Sequence, residues 1–96
     1  MVTLHIEHAI TDLDTWRSAF DAFADARRQA GVRAERLRQP VDDPHSIVVD
    51  LDFATVDEAS AFLRFLKERV WAVPENAPAL DGVPQTMILG DVAETA

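Results

Sequence analysis

The run Ser46-Ile47-Val48-Val49-Asp50-Leu51-Asp52-Phe53 alternates with a period of two. Ile47, Val49, Leu51 and Phe53 fall on one side; Ser46, Val48, Asp50 and Asp52 fall on the other. A turn signal, Asp42-Asp43-Pro44, precedes it, and Thr55-Val56-Asp57-Glu58 follows with a helix start. Rich in β-branched residues and bounded in this way, the run predicts a half-buried strand. Its second side is the stronger constraint. Two mid-strand carboxylates are tolerated only where that side meets water, a partner or a cavity. The sheet must therefore have one apolar and one polar face.

The rest of the chain can be placed against that strand. Val2 to Ala9 alternates in the same way, with Val2, Leu4, Ile6 and His8 opposed to Thr3, His5, Glu7 and Ala9. Thr11-Asp12-Leu13-Asp14 supplies N-cap oxygens and acidic charge suited to a helix start. Leu13, Trp16, Phe20, Phe23, Ala24 and Arg27 then recur at helical spacing and predict one long first helix. Arg27-Arg28 suits its C-terminal end, and Gly31 suits the position just beyond it. Val32 to Gln39, short, charged and stopped by Pro40, predicts an edge strand. Thr55 and Glu58 have the spacing of a capping box. Ala59, Leu63, Leu66 and Val70 form the core stripe of a second helix, widened by Phe62 and Phe65. Pro74, Pro78, Gly82 and Pro84 predict an irregular loop over Ala72 to Pro84. A last strand runs from Gln85 to Val92, and the final few residues fray.

The order β-α-β-β-α-β predicts a ferredoxin-like α+β sandwich, a single domain over residues 1–96. Right-handed crossovers put both helices on one face of a four-stranded antiparallel sheet. Leu4, Ile6, Ile47, Val49 and Leu51 face the helices; Thr3, His5, Glu7, Val48, Asp50 and Asp52 take the other side. A formal net charge of -8 argues against nucleic acid or an anionic membrane as partner. With no cysteine, disulfides, thiolate metal sites and cysteine nucleophiles are excluded. No apolar run approaches the ~20 residues of a membrane span. The N-terminus has no basic region followed by an apolar run, so no signal peptide is expected and the expected location is cytoplasmic. Phosphate-binding glycine loops, Gly-x-Ser-x-Gly elbows and His-Glu-x-x-His motifs do not occur.

Two sets of residues carry candidate chemistry. His5, Glu7, Asp50 and Asp52 converge on one sheet face if the first and third strands are neighbours. A histidine beside carboxylates can work as an acid–base pair or ligate a divalent metal. The more ordinary role for the same side chains is a solvated or interfacial salt-bridge network with Arg36 or Arg38. Arg69, Trp71 and Asn76 are the second set, at the end of the second helix and in the proline loop. Trp71 also suits a core plug closing that loop. Trp16 on the first apolar stripe reads as core, His8 on the apolar strand face as a satisfied structural histidine, and His45 as part of the turn.

From Leu4 to Leu89 the chain resembles the dimeric α/β-barrel proteins. The resemblance is carried by His5-Ile6-Glu7-His8, Asp14-Thr15-Trp16-Arg17-Ser18-Ala19-Phe20-Asp21 and Ala30-Gly31-Val32. It continues through Asp42-Asp43-Pro44-His45-Ser46-Ile47-Val48-Val49 and Phe53-Ala54-Thr55-Val56-Asp57-Glu58-Ala59. Spacing and residue types are similar to the small stand-alone barrels that include antibiotic-biosynthesis-monooxygenase-like domains. The resemblance implies a homodimer whose sheets pack back to back, with a pocket between sheet and helices of each subunit. It implies a cofactor-independent monooxygenase-like enzyme, or a binder of a small aromatic or hydrophobic molecule. Tryptophan, asparagine and arginine side chains hold the substrate in such monooxygenases, which makes Trp71, Asn76 and Arg69 the site candidates by residue type; His5 and Asp50 stand beside them as the acid–base pair read from the strand alternation. No cofactor or metal is expected. Haem-degrading members bind iron through a histidine in the second half of the fold, whereas the last histidine here is His45. A different class also fits: a non-catalytic dimerisation or stress-response barrel whose sheet-face charges serve assembly.

Overall fold

The computed structural model describes residues 1–92; the expected fraying lies in residues 93–96, outside the described residues. Strands β1 (Val2–Ile10), β2 (Ala34–Arg38), β3 (Ser46–Phe53) and β4 (Leu80–Gly90) form one sheet of order β2-β3-β1-β4. The pairings are antiparallel, and β1 and β3 are central neighbours. Register sets His5 opposite Asp50, Thr3 opposite Asp52 and Leu4 opposite Leu51. The two faces therefore separate as the alternation requires. Leu4, Ile6, Ile47, Val49, Leu51 and Phe53 are buried on the helical side, where Trp16, Ala59 and Phe62 pack over them.

The helices depart from the sequence reading in informative ways. The expected single first helix is two, α1 (Leu13–Ala22) and α2 (Ala24–Ala30), broken at Phe23. No proline or glycine marks the break. The Phe20 carbonyl accepts from the Phe23 N–H at 3.2 Å and from the Arg27 guanidinium. A side chain inserted into the backbone ladder is an established cause of such a kink. Arg27 is itself buried, paired with Glu35 of β2 and lying over the Phe20 ring, 3.5 Å from its centroid. Asp12 caps α1 through Thr15 N–H at 2.8 Å, and Gly31 closes α2 at φ 100°. That left-handed conformation is one that residues with a Cβ rarely adopt.

Helix α3 (Val56–Phe65) starts at the expected capping box, with the Glu58 N–H donating to Thr55 Oγ1 at 3.2 Å. It continues into a π-helical turn, Leu66–Val70, closed by Trp71 N–H to the Leu66 carbonyl at 2.7 Å. The wider turn brings Leu66, Val70 and Trp71 to the same side, a local distortion often found at functional sites. A 3-10 turn, Pro74–Asn76, follows.

Strand β4 begins at Leu80, five residues before the expected Gln85, and ends at Gly90. Gly82 and Pro84 read as loop because such residues weaken a strand, but they sit in a bulge on an edge strand, where both are tolerated. Glu7 pairs with Gln85 and Ala9 with Asp81, so Gly82, Val83 and Pro84 together stand opposite His8.

Candidate functional site

The five residues picked from sequence do not form one site. They lie on opposite faces of the sheet.

His5 and Asp50 are on the face away from the helices. His5 Nδ1 lies 2.6 Å from Asp50 Oδ1, and its Nε2 lies 3.1 Å from Glu7 Oε2. Arg38 Nη2 donates to Asp50 Oδ2 at 2.5 Å. Arg36 donates to both oxygens of Asp52, at 3.1 and 3.3 Å, and Thr3 Oγ1 donates to Asp52 Oδ1 at 2.7 Å. The hydrogen bond to Asp50 raises the His5 pKa; burial opposes it, and Glu7 reinforces it. Burial is the largest influence on Asp50 and pushes its pKa up. The hydrogen bonds from His5 and Arg38 together outweigh it, so the carboxyl titrates below its usual range. Every carboxylate in this array except Glu7 is engaged by an arginine as well as by His5 or Thr3. No group of three metal-ligating side chains is placed to hold an ion among the described residues. The arrangement is a salt-bridge network.

Trp71 and Asn76 are on the other side of the sheet, in the wall of a cavity of about 70 Å³ between β1, β3, α1 and the end of α3. Its wall is mostly apolar and aromatic: Trp16, Phe20, Phe23, Phe62 and Trp71, with Ala19, Leu66 and Ala79 between them. Trp16 and Phe20 stack at 4.9 Å, while Phe23 meets Phe65 edge-on at 6.1 Å. A second, open cleft of about 450 Å³ lies between α1 and the proline loop, lined by Thr15, Ser18, Glu75 and Pro78. The two share Ala19, Phe23 and Asn76, so the cleft adjoins the cavity across these residues.

Asn76 is held at this junction by its amide, which donates to the Arg69 carbonyl at 2.7 Å. Its side-chain oxygen has no hydrogen-bond donor among the described residues. The Arg69 side chain is exposed and takes no part in the cavity wall; its contribution is the carbonyl that orients Asn76. Trp71 is half-buried against the core and lines the cavity, so it is at once a plug and a wall.

His8 requires a correction. It was expected to be a satisfied structural histidine; instead its buried Nδ1 has no hydrogen-bond partner among the described residues. Burial lowers its pKa, and the Ala9 backbone works against that shift. Trp16, expected as core, is buried and also forms cavity wall. The signal for this wall was present as the spacing Trp16, Phe20, Phe23, but aromatic residues at helical spacing describe packed core equally well.

No protein-family model matches the chain, and no curated sequence relative does. Solved structures do. A putative antibiotic biosynthesis monooxygenase from Bordetella bronchiseptica superposes with a TM-score of 0.69 at 13% identity, covering 96% of this chain and 97% of that one. SnoaB, a cofactor-independent oxygenase from Streptomyces nogalater, gives 0.68 at 17% identity, covering 97% and 94%. A dimeric ferredoxin-like protein from an uncultured marine organism gives 0.63 at 10% identity, covering 98% and 97%. The chain has the ferredoxin-like α+β fold of these structures. At these identities the likeness establishes fold and not chemistry. No helix among the described residues is long and apolar enough to cross a membrane.

Proposed function

We propose that this barrel-type chain takes a small aromatic or hydrophobic molecule into the cavity between sheet and helices, as a cofactor-independent monooxygenase-like enzyme or a binding protein. The observation that carries this reading is the cavity itself: an aromatic wall with a single amide, Asn76, on the side it shares with the open cleft. Apolar concavities with a few placed polar groups are the usual form of small-molecule sites. Trp71 stacks on the ligand, Asn76 accepts from or positions its polar edge, and Arg69 acts through the carbonyl that fixes Asn76. His5 and Asp50 lie outside this site and serve assembly, in a homodimer formed through the polar sheet face.

Fluorescence tests the reading directly, because both tryptophans of the chain, Trp16 and Trp71, line the cavity. A ring-containing ligand entering it quenches emission saturably. Trp71→Phe and Asn76→Ala are each expected to weaken binding about tenfold, the effect of ~1.4 kcal/mol. Oxygen uptake with the same ligand separates enzyme from binder. Absence of any saturable quenching across single- and fused-ring aromatics contradicts the proposal.

One observation favours a second reading, a non-catalytic dimerisation or stress-response barrel. The polar face carries the whole His5-Asp50-Arg38 network beside exposed Met87 and Leu89. If His5→Ala changed the dimer dissociation constant and no ligand bound, that reading would replace the first.

A further inference from the structure

Resting on the sheet-face homodimer proposed above, we infer that its assembly is proton-linked: two copies of this chain pack with His5 as imidazolium, and loss of that proton loosens them. Both ring nitrogens of His5 face carboxylate oxygens, Nδ1 at 2.6 Å from Asp50 Oδ1 and Nε2 at 3.1 Å from Glu7 Oε2. An ionised carboxylate only accepts, and a neutral imidazole has one N–H to give. Only the imidazolium satisfies both neighbours; the neutral ring turns a lone pair toward one of them. Asp50 is also held by Arg38, and Asp52 by Arg36 and Thr3, whereas Glu7 has His5 alone among the described residues. On β4, Met87 stands opposite His5, with Gln85 opposite Glu7 and Leu89 opposite Thr3, so these positions bring no ionisable group to the ring.

Charge makes a second copy the fitting occupant of this face. Around His5 it sets two arginines, Arg36 and Arg38, against three carboxylates, Glu7, Asp50 and Asp52. One negative charge is left over when His5 is neutral, and none when it is protonated. A chain of formal net charge -8 repels its own copies, so a surface on which they meet has to be locally balanced. Met87 and Leu89, 53% and 43% exposed beside the network, give the same face apolar area to bury. Packing two such faces strips water from His5 and its carboxylates, and the surplus charge of one copy then meets that of the other at low dielectric. Desolvation alone favours the neutral ring, but an unbalanced buried carboxylate costs more than a paired imidazolium. Assembly therefore raises the His5 pKa beyond the rise that Asp50 and Glu7 already give it in a single chain. By linkage the dimer takes up protons as it forms. It is tightest below the single-chain pKa and loosens as pH rises through the value in the dimer.

The test is the dimer dissociation constant of the full chain, read by energy transfer on dilution of donor- and acceptor-labelled copies at about pH 6 and about pH 9. The wild-type constant is expected to rise at least about tenfold between the two, the effect of a one-unit higher His5 pKa in a single copy. His5→Gln keeps a hydrogen-bonding side chain that takes up no proton, so its constant stays level across the range, at the weaker value. Glu7→Gln leaves two arginines against two carboxylates, so its dimer remains tight at the higher pH. The Met1 amine also acts on Asp52, and a pH dependence that survives in His5→Gln would overturn the inference by belonging to another group. Equal wild-type constants at the two pH values would overturn it too, as would a Glu7→Gln dimer as weak as the wild type at the higher one. Leu89→Arg tests the interface itself. If the protein dimerises and Leu89→Arg leaves the constant unmoved, the sheet-face homodimer is wrong and its proton linkage falls with it. A chain that is monomeric at both pH values has the same consequence.

Discussion

Asp50→Asn keeps the size of the side chain and removes the charge on which two donors converge. Asp50 is 4% exposed, with His5 Nδ1 at 2.6 Å and Arg38 Nη2 at 2.5 Å on its two oxygens. A hydrogen bond to a charged group contributes about 1.5–3 kcal/mol. Arg38 is 63% exposed, so its share falls toward that of a surface ion pair, ~0.5 kcal/mol. The expected loss is about 2 kcal/mol, roughly 10 °C in Tm for a domain of this size. The sign of its pH dependence follows from His5. Its folded pKa is raised above the ordinary 6.5, so the stability it draws from Asp50 is complete below that value. That stability is lost as pH rises through the raised folded pKa. The variant should therefore differ most from the parent near pH 6 and least at about pH 9. Urea unfolding at one fixed protein concentration measures this, the concentration being held because a dimer would couple to it. Imidazole NMR should show the His5 titration moving down in the variant, with Glu7 retaining part of the shift. An unchanged His5 titration, or equal losses at both pH values, would refute the reasoning.

Gly31→Ala forces a Cβ into the left-handed region at φ 100° and within 2.5 Å of Glu58 Oε2, on the same carboxylate that accepts from the Thr55 hydroxyl. We expect a loss of about 1–2 kcal/mol from the backbone alone, read from the urea midpoint, with Glu58→Ala relieving any steric remainder. Arg27→Ala leaves Glu35 without its buried partner and removes the inserted guanidinium. Because Glu35 is 37% exposed, the expected cost is at the low end for such a break, about 2–3 kcal/mol by thermal unfolding. His5 and His8 should titrate on opposite sides of 6.5 by NMR, His5 above and His8 below. Since the His8 pKa is depressed, its contribution to stability is present above 6.5 and lost as pH falls through its folded value, the reverse of His5.

The sheet was legible because a one-residue slip in its alternation would turn Asp50 and Asp52 toward the apolar helical side, away from the arginines that pair them, so the two carboxylates fix which face is which. The capping box at Thr55 and the glycine stop at Gly31 were legible for the same reason, each being a local rule that the chain follows. The break at Phe23 was not, because it arises from Arg27 reaching back to the Phe20 carbonyl, a contact visible only once β2 places Glu35 beside it. The early start of β4 was hidden by Gly82 and Pro84, which mark loops in sequence and a bulge in this sheet. Of the site, Trp71 and Asn76 were legible as types near the end of α3. The π-helical turn that aims Trp71 has no sequence marker. His8 was misread because an alternating strand predicts which face a side chain takes, not whether its polar atoms find partners there.

The central claim is that the ligand site is the cavity behind the sheet and not the charged face in front of it. Amide chemical-shift mapping of the labelled protein with a hydroxylated aromatic such as 1-naphthol decides between the two faces. The account predicts saturable shifts clustered at Ala19, Phe23, Trp71, Asn76 and Ala79, with His5, Arg38 and Asp50 unmoved. Shifts gathered on His5, Arg38 and Asp50, or none up to the solubility of the ligand, would contradict it.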